Sequence, residues 1–211
     1  MTATTTTAIA TRHQRDAFGA LVVGLVVLVV GMIVVRDGSV PGWEASIFHA
    51  VNNLPGVLYR PLWPFQQLGA LAIGPVVAIV AAIARRFRLA IAALVATVAK
   101  LILERAVKVI ASRQRPGTSI GRDVHLRGDV TASGESFVSG HAVLIAALAG
   151  VVTPYLPGRW KIVPWVVVAL VMVTRVYVGA HNPLDVVCGA GLGLAIAGAI
   201  NLVSGARGAI R

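Results

Sequence analysis

The stretch IVPWVVVALVMVTRVYVGAHNPLDVVCGAGLGLAIAGAINLV, residues 162–203, consists of two long apolar runs joined by a short polar segment. Each run is long enough to cross, or nearly cross, a bilayer as an α-helix. Arg175, His181 and Asp185 stand where the two runs meet. Charged groups inside a membrane are costly and usually serve a function, so this stretch predicts two spanning helices with a functional site between them.

Similar apolar runs extend over most of the 211-residue chain, which is 57% hydrophobic and only 13% charged. This composition is typical of a membrane protein. We expect an all-α polytopic membrane protein with six transmembrane helices in one bundle. The bundle forms a single domain over residues 1–211, in which residues 1–17 are a cytoplasmic N-terminal tail. The six expected spans are residues 18–35, 68–84, 89–111, 141–156, 162–178 and 183–203.

The formal net charge of +11 would suggest nucleic-acid binding in a soluble protein. Here the basic residues flank apolar segments or lie in one loop, and no stacking aromatics accompany them. Anionic membrane lipid is therefore the expected partner, and nucleic acid is not. Cys188 is the only cysteine, so the chain has no disulfide framework and no thiolate metal site.

The distribution of basic residues predicts the orientation. Arg85, Arg86 and Arg88 lie tightly against span ends, as do Arg159 and Lys161. Short basic loops of this kind mark the cytoplasmic side, although the opposite loops also contain arginines. We therefore expect an integral protein of the bacterial inner membrane, with the polar site on the extracytoplasmic side.

Two further segments have structural interpretations. Trp43, Ile47, Phe48 and Val51 recur at roughly helical spacing, which predicts a short helix lying in the membrane interface. In the last span, Gly189 and Gly193 form a GxxxG pattern that favours close helix packing. The remaining long polar segment is the loop of residues 117–136, where Arg122, His125 and Arg127 could contact a headgroup or simply be solvated.

The third span contains Lys100, Glu104 and Lys108 at four-residue steps, so a helix places all three on one face. For Lys100 and Glu104, a structural ionic ladder is the favoured interpretation. Arg115 follows Lys108 on nearly the same helical phase, and Pro116 then ends the helix. Lys108 and Arg115 should therefore lie together at one helix end.

The fourth span opens with SFVSGHAV, in which Ser139 can cap the helix. The first backbone N–H groups, including those of Gly140 and His141, would then form an anion site. An ordinary N-cap explains the same letters equally well.

Asp185 lies in the first turn of the last span, behind Asn182 as N-cap and Pro183 as first helical residue. It could close a capping box and do nothing more. Because His181 precedes it by four residues, the carboxylate could also fix the histidine tautomer and raise its basicity. Cations, backbone donors and two histidines thus converge at one end of three helices, as phosphoryl transfer requires.

These three segments resemble the signature of the type 2 phosphatidic acid phosphatase and vanadium haloperoxidase superfamily, which reads K-x6-RP, then PSGH, then SR-x5-H-x3-D. Here they are KVIASRQRP (residues 108–116), VSGH (138–141) and TRVYVGAHNPLD (174–185). Val138 replaces the usual proline and Thr174 the usual serine. We expect these two departures to alter rate or selectivity without abolishing activity.

The resemblance implies a role for each matching residue. His181 would be the nucleophile that forms a phosphohistidine, Asp185 would orient it, and His141 would be the general acid. The phosphate oxygens would be held by Lys108, Arg115, Ser139, Gly140 and Arg175. No metal and no cofactor is expected, because cationic side chains supply the positive charge and the carboxylates are too few to hold magnesium.

A site embedded in the membrane implies lipid-borne phosphate, such as phosphatidate or a polyprenyl diphosphate like undecaprenyl diphosphate. The expected activity is therefore a metal-independent lipid phosphatase. A lipid phosphotransferase would use the same residues and differ only in the acceptor. The spans argue against a soluble haloperoxidase, and a non-catalytic lipid or ion transporter would not need all three motifs. The sequence does not indicate an oligomeric state.

Overall fold

The computed structural model describes residues 3–121 and 123–204, with side chains from residue 13 onward. This part of the chain folds entirely into helices and connecting loops, which confirms the all-α class. The α-helices are α1 (Ala3–Val34), α2 (Gly42–Asn52), α3 (Tyr59–Gln67), α4 (Ile73–Ile83), α5 (Phe87–Ala111), α6 (Pro116–Ser119), α7 (Gly140–Val152), α8 (Val163–Tyr177) and α9 (Pro183–Ser204).

Six of these helices overlap the expected spans, namely α1, α4, α5, α7, α8 and α9, although α1 already begins at Ala3, within the expected tail, and α4 covers only Ile73–Ile83. Among the described residues, three segments are both long and apolar enough to cross a membrane: His13–Val34, Gly158–Tyr177 and Pro183–Ser204. Ile73–Ile83 and Gly140–Tyr155 are shorter apolar helices. The helices have the character of a membrane protein, while the count of six spans stays a prediction.

The outer faces of the bundle are apolar. On α4, Ile79 and Ile83 are 59% and 77% exposed, and Ile91 and Ile102 on α5 are similarly open. Exposed apolar surface of this extent is rare on a soluble monomer. In a bilayer these side chains face lipid tails, so the exposed faces fit an integral membrane protein.

Helix α9 runs through the middle of the bundle, between α1 and α7. A Cβ atom added at Gly189 would lie 2.8 Å from the carbonyl oxygen of Ser139, and one at Gly193 would lie 2.3 Å from that of Val143. On the opposite face, a Cβ at Gly24 of α1 would lie 2.4 Å from the carbonyl oxygen of Gly191. The packing role predicted for Gly189 and Gly193 is confirmed, because neither position has room for a side chain.

The predicted helix near Trp43 is also confirmed as α2. Glu44, Phe48 and Asn52 share one face of α2 and are fully buried, whereas Trp43 and Ile47 are exposed. Burial of the Glu44 carboxyl is unexpected for a helix interpreted as lying in the interface. This helix therefore contributes a charged group to the interior.

The end of α5 differs from the expectation. The helix ends at Ala111, because Ser112 adopts a left-handed conformation with φ of 45°. The chain then pairs with the end of the polar loop, where Ser136 N donates to the Arg113 carbonyl at 2.7 Å and Arg115 N donates to the Gly134 carbonyl at 3.0 Å. The prediction that Arg115 continues the helical phase of Lys108 is therefore wrong. The loop supplies the backbone partners that draw the chain away from the helix.

Two residues in the middle of the polar loop, His125 and Arg127, are hydrogen-bonded to the bundle. Asn52 Nδ2 donates to the His125 carbonyl at 2.9 Å, and His125 N donates to Asn52 Oδ1 at 2.8 Å. Arg127 donates to the carbonyls of Tyr177 at 2.6 Å and Leu54 at 3.0 Å, with its guanidinium 4.2 Å from the Tyr177 ring centre. Arg127 thus has a structural role. The His125 side chain is exposed, and Arg122 lies outside the described residues.

Candidate active site

His181 lies in the short turn between α8 and α9 and is 3% exposed. Its Nδ1 atom is 3.4 Å from Ser136 Oγ and 3.7 Å from Asp185 Oδ2. Ser136 Oγ donates a short hydrogen bond to the same carboxylate oxygen. Asp185 therefore faces His181 Nδ1 as expected, and Ser136, which the sequence analysis did not single out, contacts both.

Asp185 also has the structural role considered as an alternative. Asn182 N donates to Asp185 Oδ2 at 2.7 Å, and Asp185 N donates to the Asn182 carbonyl at 3.0 Å. This is one half of a capping box at the start of α9, because the Asp185 side chain reaches back to Asn182 N while Asn182 Oδ1 is buried without a partner. One carboxylate thus caps the helix and faces the histidine, so the two interpretations do not exclude each other.

The other oxygen of Asp185 accepts a hydrogen bond from a residue that sequence reasoning missed. Arg113 Nη1 donates to Asp185 Oδ1 at 2.9 Å, and the same guanidinium forms an ion pair with Glu44 at 2.5 Å. All three side chains are fully buried. The only indication of this role in the sequence was the position of Arg113, two residues before Arg115. Nothing in the sequence linked Arg113 to Glu44.

His181 lies outside the helices, and its side chain is buried. Burial lowers its pKa to about 4, Asp185 opposes that shift, and the nearby cations Arg175 and Arg115 favour it. The imidazole is therefore neutral at pH 7. A neutral ring retains the lone pair that a nucleophile needs.

Ser139 occupies the N-cap position of α7, but its side chain makes no capping hydrogen bond. Its Oγ is buried without a partner, while its backbone N–H donates to the Asp185 carbonyl at 2.9 Å. The N-cap position is confirmed, whereas the side-chain cap is absent. The hydroxyl and the next N–H groups, of Gly140 and His141, remain available at the helix start.

Arg175, near the end of α8, is 7% exposed, and its Nε is buried without a hydrogen-bond partner. Neighbouring Thr174 donates its hydroxyl to the Leu170 carbonyl at 2.7 Å. The hydroxyl that threonine shares with the usual serine is therefore engaged within its own helix. Arg115 is partly buried and, like Arg175, lies near enough to His181 to disfavour the protonated imidazole by charge repulsion.

The predicted ionic ladder is confirmed. Glu104 pairs with Lys100 at 2.6 Å and with Lys108 at 2.8 Å. The same carboxylate packs against Gly140, where an added Cβ would be 2.5 Å from both carboxylate oxygens. Lys108 and the start of α7 therefore lie side by side.

His141 is partly buried, and the α3–α4 connection packs against its ring. A Cβ added at Gly69 would lie 2.7 Å from both Cβ and Cδ2 of His141. Within residues 3–121 and 123–204, no three His, Cys, Asp or Glu side chains are grouped so that they could hold a metal ion. The cluster therefore consists of two histidines, several cations and helix-terminal donors, a set suited to binding a phosphate-like anion.

Comparison with known proteins agrees with this arrangement. The family model for the PAP2 superfamily matches residues 86–209. The fold is similar to that of Aquifex aeolicus LpxE, with 25% identity and a TM-score of 0.65 over 75% of this chain and 94% of that one. It is also similar to a transmembrane PAP2 type phosphatidylglycerolphosphate phosphatase from Bacillus subtilis, with 20% identity and a TM-score of 0.60 over 83% of this chain and 93% of that one.

No curated protein matches the chain. The family match nevertheless covers more than half of the sequence, including every motif residue from Lys108 to Asp185. The chain is therefore a member of the PAP2 superfamily.

Proposed function

We propose that this protein is a metal-independent lipid phosphatase that works through a phosphohistidine on His181. The observation that carries the proposal is the state of the polar groups around His181. Ser139 Oγ and Arg175 Nε are buried without partners, whereas Asp185 is fully hydrogen-bonded. Buried donors without partners are uncommon and call for an explanation, and a bound phosphate would satisfy both.

In the first step, His181 Nε2 attacks phosphorus and the bond to the lipid oxygen breaks. The proton on Nδ1 remains on the Asp185 side, and His141 donates a proton to the departing oxygen. Arg175, Arg115 and Lys108, together with Ser139 and the N–H of Gly140, stabilise the negative charge on the phosphoryl oxygens.

In the second step, water attacks the phosphohistidine. His141, now neutral, accepts a proton from that water, and inorganic phosphate leaves as His181 is restored. Both histidines thereby return to their starting protonation states. No step requires a metal ion, since side-chain cations supply the positive charge.

The proposed substrates are lipid phosphates such as phosphatidate or a polyprenyl diphosphate, because apolar faces surround the helices that carry the site. The proposed location is the bacterial inner membrane, with the site on the extracytoplasmic side. The basic loops at Arg85 and Arg159 support this orientation.

Purified protein in detergent, incubated with a panel of lipid phosphates and diphosphates, tests the proposal through release of inorganic phosphate. Wild type should release phosphate from at least one lipid, and His181→Asn should release none. Analysis of the products distinguishes transfer to water from transfer to another lipid. Absence of phosphate release and of transfer across the whole panel would overturn the proposal.

A further inference from the structure

Behind Asp185 lies a buried charged cluster that the proposed steps do not use. Arg113 Nη1 contacts both Glu44 Oε1, at 3.1 Å, and Asp185 Oδ1, at 2.9 Å. Its Nη2 donates to Glu44 Oε2 and to the Ser39 carbonyl at 3.1 Å. Glu44 Oε1 additionally accepts the backbone N–H of Leu184 at 2.8 Å. The cluster joins α2, the segment after α5, and the start of α9.

The side chains of Glu44, Arg113 and Asp185 are all fully buried. A buried ion pair often contributes no net stability, because desolvation of its charges offsets their attraction. Three hydrophobic side chains would fill the same space without the free-energy cost of desolvating charges. A cluster of this kind at the back of the candidate nucleophile therefore calls for a functional explanation.

The net charge of the cluster suggests such a functional explanation. Two carboxylates and one guanidinium carry a single net negative charge, which lies directly behind His181 Nδ1. When Nε2 of a neutral imidazole bonds to phosphorus and Nδ1 keeps its proton, the ring acquires one positive charge. The cluster and the ring then neutralise each other in a dry environment, where such matching matters most.

The geometry also restrains the position of Asp185. Arg113 holds Oδ1, and Asn182 N and Ser136 hold Oδ2, so the carboxylate cannot rotate away from His181. Ser136 Oγ lies 3.4 Å from His181 Nδ1 and gives its own proton to Asp185, so its oxygen can only accept from Nδ1. Asp185 Oδ2, 3.7 Å from Nδ1, adds negative charge on the same side, and together they favour the tautomer of His181 that carries its proton on Nδ1. Nε2 is then left free to attack.

We propose that Glu44 and Arg113 are positioning residues that act through Asp185, fixing the Nδ1–H tautomer of His181 and balancing the charge of its phosphorylated form. This inference rests on the proposed function only for its effect on turnover. Its effect on the tautomer is independent of any substrate. The other charged or titratable groups near His181 are Arg175 of α8, Arg115 before α6, and His141 of α7.

Glu44→Gln tests the charge while keeping the shape, and Glu44→Asp keeps the charge while changing the shape. With the best lipid phosphate from the panel, Glu44→Gln should lower kcat by roughly 10- to 100-fold, the range found when the partners that orient metal-bound histidines are changed. KM should stay unchanged because the phosphate donors are intact. Glu44→Asp should retain more of kcat than Glu44→Gln at a similar loss of thermal stability.

The matched control is Asn52→Ala, which removes another fully buried polar side chain from the same face of α2 but touches neither Arg113 nor Asp185. It should lower the unfolding temperature and leave kcat of the folded protein close to wild type. If Asn52→Ala and Glu44→Gln lower kcat equally, α2 acts only by packing and the positioning role fails.

A second measurement does not depend on turnover. Nitrogen-15 NMR of the histidine rings, with the His181 signal assigned by its loss in His181→Asn, reports which ring nitrogen carries the proton. Wild type should show the Nδ1–H form, and Glu44→Gln a mixture of both tautomers. An unchanged tautomer in folded Glu44→Gln overturns the inference even if the phosphatase activity is real, whereas a shifted tautomer in a protein without activity refutes only the proposed function.

Discussion

Ser139 offers a test in which stability and anion binding should respond differently to one substitution. A serine that caps a helix typically contributes about 0.5–2 kcal/mol of stability over alanine. Ser139 makes no such bond, and its Oγ is instead buried without a partner. An unsatisfied buried hydroxyl costs about 1–3 kcal/mol. Ser139→Ala should therefore leave the free energy of unfolding of the unliganded protein unchanged or increase it.

The same change should weaken anion binding. In the proposed site, Ser139 donates to a phosphoryl oxygen, and a hydrogen bond to a charged group is worth about 1.5–3 kcal/mol. That range corresponds to a rise of roughly 10- to 150-fold in the inhibition constant of orthovanadate, which mimics the transferring phosphoryl group.

Two assays on detergent-purified protein measure these effects: thermal unfolding without ligand, and vanadate inhibition of p-nitrophenyl phosphate hydrolysis. Thr97→Val is the matched control, because the Thr97 hydroxyl is buried but donates to the Ala93 carbonyl at 2.7 Å within α5. It should leave the vanadate constant unchanged. The reasoning is refuted if Ser139→Ala lowers the unfolding temperature as a lost cap would and leaves vanadate inhibition at the wild-type value.

Four further outcomes are expected. His141→Asn should lose about 10²–10⁴-fold more of kcat/KM, which reports the steps up to release of the leaving group, on phosphatidate, whose alkoxide needs a proton, than on p-nitrophenyl phosphate. His181→Asn should be inactive on both, and rescue of His181→Asn by the aryl ester would reverse the two roles. Vanadate should inhibit hydrolysis and EDTA should not, so activity lost in EDTA and restored by magnesium would contradict a metal-free mechanism. Because protonation removes the nucleophilic lone pair, activity should fall as pH decreases through the His181 pKa of about 4. A fall in activity that follows protonation of His181 near its ordinary pKa of about 6.5 would contradict the buried position of this side chain. A cysteine at Ser133, which is exposed, should react with an impermeant thiol reagent on intact cells; labelling only after lysis would reverse the orientation.

Much of the fold and the motif residues could be predicted because the relevant signals are local. Uninterrupted apolar runs predict helices, and the helix starts at Ser139 and Pro183 follow from cap and proline chemistry. The steps of four that join Lys100, Glu104 and Lys108 into a ladder, and His181 to Asp185, are properties of single segments. Residues related in this way stay close together in the folded protein because they belong to one segment.

The rest depends on contacts between segments far apart in the chain. Arg113 and Glu44 are 69 residues apart, and Glu44 belongs to a helix whose exposed Trp43 and Ile47 indicate only an interface. The end of α5 at Ala111 depends on backbone partners from the loop near Gly134 and Ser136. The cap position of Ser139 was predictable, but a local pattern does not reveal that its hydroxyl is buried without making the capping bond.

The most direct test of the central claim is to trap the phosphoenzyme. The His141→Asn variant should form it readily from p-nitrophenyl phosphate, whose leaving group needs little protonation, and should hydrolyse it slowly because no base activates the water. Rapid alkaline quenching, proteolysis and mass spectrometry should then find an acid-labile phosphate on His181. A phosphate found on any other residue, or continued phosphate release with no phosphohistidine at His181, would contradict the account.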